Sequence, residues 1–173
     1  MAKAASQSPP AAVRRLGPRL RLLVLDFDGV LTDNTVNVHQ DGTESVRCWR
    51  GDGLGISALK ANGVDVLLLS TETNPVVSTR AAKLQVDCRQ GLSDKGSALA
   101  EVMRQRGLAP EQVAYLGNDV NDLECLRLVG LPIVVQDAHR AVWKAAKWRT
   151  HAMGGRGAVR EVCDALIDIL KRP

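Results

Sequence analysis

Three short apolar runs constrain this chain more than any other feature: RLLVL at 21–25, VDVLLL at 64–69 and QVAYL at 112–116. A fourth, LPIVV, follows at 131–135. Near-continuous apolarity over four to six residues is the pattern of strands covered on both faces. Stretches of helical character separate the runs. They cover 52–61, closed by Asn62-Gly63; 75–84, with Pro75 near its start; and 93–106, with Ser93 or Asp94 as N-cap and Gly107 as its stop. Further helices are expected over 121–129, 138–147 and, amphipathically, 157–170. Residues 35–38 and 44–48 alternate with period two around Asp41-Gly42, which predicts a β-hairpin. The alternation as a whole predicts an α/β fold, a Rossmann-like three-layer sandwich with a mostly parallel central sheet and a small hairpin flap.

A length of 173 residues fits one domain with a core of its own. Residues 1–18, rich in Ala, Ser, Pro and Arg, are expected to be a disordered leader in which 13–16 could dock locally, and 19–173 a single domain. The first twenty residues have no apolar signal segment, and no run approaches a membrane span, so a cytoplasmic protein is expected. Cys48, Cys88, Cys125 and Cys163 are scattered with no CxxC pair, which argues against a zinc ribbon or a dithiol redox site and for reduced thiols. His39, His139 and His151 are equally dispersed. The net charge of +4 is mild, and three Trp, one Tyr and one Phe give little to stack on bases, so no nucleic-acid partner is expected.

In open α/β sheets the ligand site lies beyond the carboxyl ends of the strands. Asp26-Phe27-Asp28-Gly29 follows the first run, Ser70-Thr71-Glu72 the second, and Gly117-Asn118-Asp119-Val120-Asn121-Asp122 the third. Carboxylates and hydroxyls at three strand ends would converge. Asp26 and Asp28, two apart, can face one crevice, where they ionise together only around a cation or with one of them protonated. Oxygen donors without His or Cys select a hard ion, Mg²⁺ above Zn²⁺. An EF-hand loop is excluded, because it needs more ligands in one run and flanking helices.

Residues DFDGVLT at 26–32, Ser70, Lys95 and GNDVND at 117–122 resemble, in order, the four motifs of the haloacid dehalogenase-like phosphatases. DGLGI at 52–56, AYLG at 114–117, VGL at 129–131 and GGRGAVRE at 154–161 extend the likeness to the capless subfamily. Its members act on octulosonate 8-phosphates and nononate 9-phosphates, and the phosphatase-like domain of animal CMP-sialate synthetases belongs with them. The resemblance implies Asp26 as nucleophile, Asp28 as general acid and base, and Ser70 and Lys95 as holders of the phosphoryl oxygens, with backbone N–H groups of Phe27, Asp28, Gly29 and Thr71 completing the cradle. It implies Mg²⁺ bound by Asp26, the Asp28 carbonyl and Asn118, with Asp119 and Asp122 orienting water ligands or Lys95. Many relatives carry Asp where this chain has Asn118. The neutral amide removes one negative charge, so weaker metal binding, or a ligand role passed to Asp119, is expected. A catalytically weak oligomerisation domain is the alternative function, disfavoured by the intact Asp26, Asp28, Ser70 and Lys95.

The 44 positions from Asp26 to Ser70 and the 25 from Ser70 to Lys95 hold at most a hairpin and a helix, and a helix and a short strand. Neither leaves room for a cap domain. Relatives roof such open sites by forming homotetramers, so a homotetramer is expected. Glu72 stands where octulosonate-type enzymes carry an Arg, and Lys83 follows eleven residues on, as in the nononate 9-phosphate phosphatases. Glu72 and Lys83 are therefore expected to act together on the substrate, with nine-carbon acids preferred. Arg80 resembles an arginine that reaches a neighbouring subunit's site.

Overall fold

The structure, a computed structural model, describes residues 11–171. Its sheet is built outward from β1 (Leu22–Leu25), whose four residues are all buried. The parallel neighbours of β1 are β4 (Asp65–Leu69) and β6 (Val113–Gly117), with Leu25 opposite Leu68 on one side and Leu116 on the other. Beyond β4 lies β5 (Asp87–Arg89). Beyond β6 lie β7 (Leu131–Val134) and then β8 (Trp148–Arg149). The order is β5-β4-β1-β6-β7-β8, parallel throughout. Apolar runs with no polar alternation form this sheet because helices cover both faces.

Those helices are α2 (Arg50–Ala61), α3 (Val76–Leu84), α4 (Lys95–Gln105), α5 (Leu123–Leu128) and α6 (Ala158–Leu170). Asp94 caps α4 by accepting the Ser97 N–H at 3.0 Å. Among the helices, α2 and α6 pack most extensively. Gly55 makes their approach possible, since a Cβ there would sit 2.8 Å from Arg160 Cδ and 3.1 Å from Cys163 Cβ. The expected hairpin is present but shorter, as β2 (Asn37–Val38) and β3 (Glu44–Ser45), paired antiparallel and exposed. It has no further strand to extend its ladder, and an antiparallel bridge between Thr32 and Cys48 ties its base to the domain. Between Asp26 and Ser70 lie this hairpin and α2, and between Ser70 and Lys95 lie α3 and β5, so no cap domain interrupts the sheet.

Three expectations are corrected. Residues 11–18 do not form a disordered leader, although the local docking expected at 13–16 is present: Ala11–Leu16 is a helix, α1, followed by a 3₁₀ turn at Gly17–Arg19. Val13 and Leu16 are buried in the core, and Gly17 lies close beneath Ile169 of α6, where a Cβ would come within 2.8 Å of Ile169 Cγ2. The rest of that expectation, residues 1–10, lies outside the described residues. The segment 138–147 forms a 3₁₀ turn, Arg140–Ala145, rather than an α-helix, and 121–129 divides into a 3₁₀ turn, Val120–Asp122, and the short α5. In the second case Asp119 and Asp122 take the turn's amide protons and bend the chain before the helix starts. No helix among the described residues is long and apolar enough to cross a membrane.

Candidate active site

Three neighbouring strands deliver their carboxyl ends to one place. Asp26 closes β1 and is followed by a tight turn, in which the Phe27 carbonyl accepts the N–H groups of Val30, Leu31 and Thr32 at 3.3, 2.9 and 3.2 Å. Gly29 sits there at φ 76°, and a Cβ on it would fall 1.9 Å from Asn118 Nδ2, so only glycine fits. The buried Thr32 hydroxyl accepts the Gly29 N–H at 3.1 Å and donates to Asp28 Oδ1 at 3.4 Å, which fixes the second aspartate relative to the turn.

From the β6 side come Asn118, Asp119 and Asp122. Asp122 is fully buried and accepts four donors: Asn118 N–H at 2.7 Å, Asp119 N–H at 3.2 Å, the Tyr115 hydroxyl at 2.6 Å and Lys95 Nζ at 2.6 Å. Lys95, the first residue of α4, is buried as well, and its ammonium also lies 2.8 Å from Asp26 Oδ1. From β4 comes Ser70, whose Oγ accepts the Glu72 N–H at 3.1 Å. A hollow of about 290 Å³ is lined by Asp26, Asp28, Ser70, Thr71, Asn118 and Asp119, together with Asn34, Val120 and Asn121.

The electrostatics follow from burial. Burial and the Asp122 charge raise the Asp26 carboxyl above its ordinary value, against the pull of Lys95. Burial, and then Glu72, raise Asp28, with the Thr32 hydroxyl opposing them. Burial works against the Lys95 charge, but Asp26 and Asp122 outweigh it and hold the ammonium above the usual lysine value. Here one cation is shared between two buried carboxylates. Asp28, half-buried, is more open to the hollow than Asp26.

The structure thus brings together Asp26, Asp28, Gly29, Ser70, Thr71, Lys95, Asn118 and Asp122. Asp122 positions Lys95, whereas Asp119 caps its own turn through Val120 N–H at 2.7 Å and lies 4.0 Å from His139 Nδ1. Glu72 lines a second hollow of about 230 Å³ that shares Asp28 and Asn34 with the first and runs under the hairpin past Glu44 and Asn74. Its carboxylate accepts the N–H groups of Thr73 and Asn74 at 2.6 and 2.7 Å. The expected partnership with Lys83 is not formed within the chain. Glu72 precedes α3 rather than sharing its face, and Lys83 and Arg80 line a separate hollow between α2 and α3. Asn34 and Tyr115 escaped the sequence reading, as did Glu44 and Asn74 of the second hollow. Asn34, at φ 61°, lines both hollows and carries no spacing signal. Tyr115 supports Asp122, and its hydroxyl in an otherwise apolar strand was a legible sign of a buried partner.

Comparison with known proteins supports the fold and its family. The family model of haloacid dehalogenase-like hydrolases matches residues 68–159. The 3-deoxy-D-manno-octulosonate 8-phosphate phosphatase of Salmonella typhi is 39% identical over 149 residues, which is 86% of this chain and 79% of that protein. Among solved structures, a HAD family hydrolase from Streptomyces avermitilis is 46% identical with a TM-score of 0.84, over 92% of this chain and 88% of that one. The octulosonate 8-phosphate phosphatase of Moraxella catarrhalis, solved with magnesium, phosphate and 3-deoxy-D-manno-octulosonate (KDO), is 30% identical with a TM-score of 0.87, over 91% of each chain. The chain belongs to the haloacid dehalogenase-like hydrolases. Within that superfamily it is a phosphatase, resembling those that act on octulosonate 8-phosphate.

Proposed function

We propose that the protein is a Mg²⁺-dependent phosphomonoester hydrolase that acts through an aspartyl-phosphate on a phosphorylated sugar acid. The observation that carries this reading is the single hollow in which Asp26, Asp28, Ser70 and Asn118 meet while Lys95 holds Asp26 from behind. Lys95 engages Asp26 Oδ1, which leaves Oδ2 to attack phosphorus. As the phosphorus–oxygen bond to the sugar breaks, Asp28 gives its proton to the departing alkoxide. The raised Asp28 carboxyl suits that role. Asp28 then takes a proton from water, the water oxygen bonds to phosphorus, and the bond to Asp26 breaks to release inorganic phosphate. The Ser70 hydroxyl, which accepts from Glu72 N–H, keeps its own proton to donate to a phosphoryl oxygen.

The donor set fits magnesium. Asp26, Asp28 and Asn118 line the hollow with no Cys or His among its lining residues, and the side-chain oxygens of Asp26 and Asn118 with the Asp28 carbonyl would hold the ion. The ion would neutralise charge on the transferring phosphoryl group.

The hollow beside the phosphoryl site is lined by Glu44 and Glu72 and by the amides of Asn34 and Asn74. Such a lining accepts hydrogen bonds from sugar hydroxyls and repels a carboxylate placed against Glu72. This supports nine-carbon 2-keto acid 9-phosphates over the eight-carbon 8-phosphate. The exposed Val36 and Val38 on the hairpin, with Leu54 on α2, support a homotetramer in which Arg80 and Lys83 serve a neighbour's site. For the wild type, kcat/KM is expected to favour the nononate ester, and Glu72→Arg to reverse the ratio by about tenfold or more. A wild type that prefers the octulosonate ester, or a ratio indifferent to the swap, would refute the specificity and leave the phosphatase reading standing. Mass photometry at micromolar concentration is expected to show four copies. A fully active monomer would overturn that assembly.

A further inference from the structure

The segment that follows β8 has no regular structure, yet it is tied down at almost every residue. Thr150 N–H reaches Val134 O at 3.0 Å, and the Thr150 hydroxyl donates to Ala152 O at 2.7 Å. From the first turn of α6, the Glu161 carboxylate accepts His151 N–H, at 3.0 Å to both oxygens, and Ala152 N–H at 2.9 Å. Asp137 accepts Gly154 N–H at 3.0 Å. The far end of the segment then presses on the turn that carries the two catalytic aspartates. Gly155 N–H donates to Val30 O at 2.9 Å. A Cβ on Gly154 would lie 1.9 Å from Gly29 O, and one on Gly155 2.4 Å from Asp33 N. Gly29 also lies close against the Asn118 side chain. The 27–32 turn is therefore in contact with both Asn118 and the 154–155 backbone.

We propose that Glu161 is a positioning residue for the catalytic turn. By fixing the backbone at 151–152 it holds Gly154 and Gly155 against Gly29, Val30 and Thr32, and so sets the place of Asp28 through the Thr32 hydroxyl. The grip is made by backbone on backbone, which is why two glycines stand at the contact and a carboxylate, rather than bulk, secures them. The catalytic consequence rests on the phosphatase reading; the mechanical link does not. A carboxyl displaced by about 1 Å from its working position loses on the order of 10²-fold in rate.

Two readouts test this in the full chain. In hydrogen–deuterium exchange, Glu161→Ala is expected to lower the protection of a peptide spanning 27–34 by about tenfold and to leave a β4 peptide spanning 65–69 unchanged. This measurement needs no activity. In steady-state hydrolysis of p-nitrophenyl phosphate with Mg²⁺, Glu161→Ala is expected to lower kcat by about 10- to 100-fold with KM within about twofold. Glu161→Gln, which keeps one acceptor oxygen, recovers part of both effects. Gly154→Ala, which leaves Glu161 intact, reproduces the loss by pushing on Gly29 directly, and it decides the matter if Glu161→Ala does not fold. Unchanged exchange at 27–34 in a folded Glu161→Ala or Gly154→Ala protein overturns the proposal, as does a uniform rise in exchange that includes β4. An inactive wild type would sink the phosphatase reading alone and leave the exchange result to judge the link.

Discussion

Replacing Asp26 with Asn is expected to lower kcat by about 10⁴-fold or more while the protein stays folded. The amide cannot form the acyl-phosphate, and its neutral oxygen is a poor nucleophile. The fold tolerates the change because Asp26 is a buried carboxylate that folding holds only against a desolvation cost, and Lys95 keeps Asp122 at 2.6 Å as its partner. Steady-state hydrolysis with Mg²⁺, alongside a thermal melt followed by circular dichroism, separates the two effects. A folded variant within tenfold of wild-type turnover would place the nucleophile elsewhere.

Lys95→Met carries the largest effect on stability. It removes the cation from between Asp26 and Asp122, both buried, and leaves two carboxylates facing each other without a counter-charge. Breaking a buried pair on one side costs about 3–5 kcal/mol. In a chain of this size that corresponds to a fall in Tm on the order of 10 °C. The sign with pH is set by the same geometry. In the variant the Asp26 carboxyl, raised by burial and by the Asp122 charge, loses the Lys95 charge that opposes them, so the folded state keeps its stability at low pH and loses it as pH rises through the raised value. The gap to wild type should therefore narrow from pH 8 towards pH 5. Adding Asp122→Asn should recover part of the lost stability and none of the activity, because Lys95 is also the cation beside Asp26. A Lys95→Met protein as stable as wild type at neutral pH would mean that the pair is not a buried unit.

The two variants probe the part of the molecule that was plainest in the sequence. Strands buried on both faces must be written as unbroken apolar runs, and the first polar residue after each run is forced to the strand's carboxyl end. Asp26, Ser70 and Asn118 could be placed on that ground alone. Where the chain departs from such runs, the sequence says less. Strand β8 has two residues, and its only mark is a buried Trp148, which reads as packing. The eleven-residue interval from Glu72 to Lys83 suggested that the two act together. Glu72 lies before α3, however, and turns its carboxylate onto the N–H groups of Thr73 and Asn74, a local pairing that helical spacing cannot reveal. Residues 11–18 looked like a leader by composition, but two apolar side chains, Val13 and Leu16, were enough to seat them. The contact of Gly154 with Gly29 joins segments far apart in the chain, and nothing local to either one announces it.

The position of β1 also governs how the site comes into being as the chain folds. Leu22 is paired with Asp65 on one side and Val113 on the other, so the strand that ends in Asp26 has no partner close to it in sequence. Parallel pairings of this kind require large loops to close before any ladder forms, and they place a fold among the slow, high-contact-order topologies. A partly folded chain can own its helices and still hold Asp26 apart from Ser70 and Asn118, because the three strand ends meet only when the central sheet is complete. Anything that binds at those ends therefore binds the finished fold alone, and raises the free energy of global unfolding by mass action instead of shoring up one region.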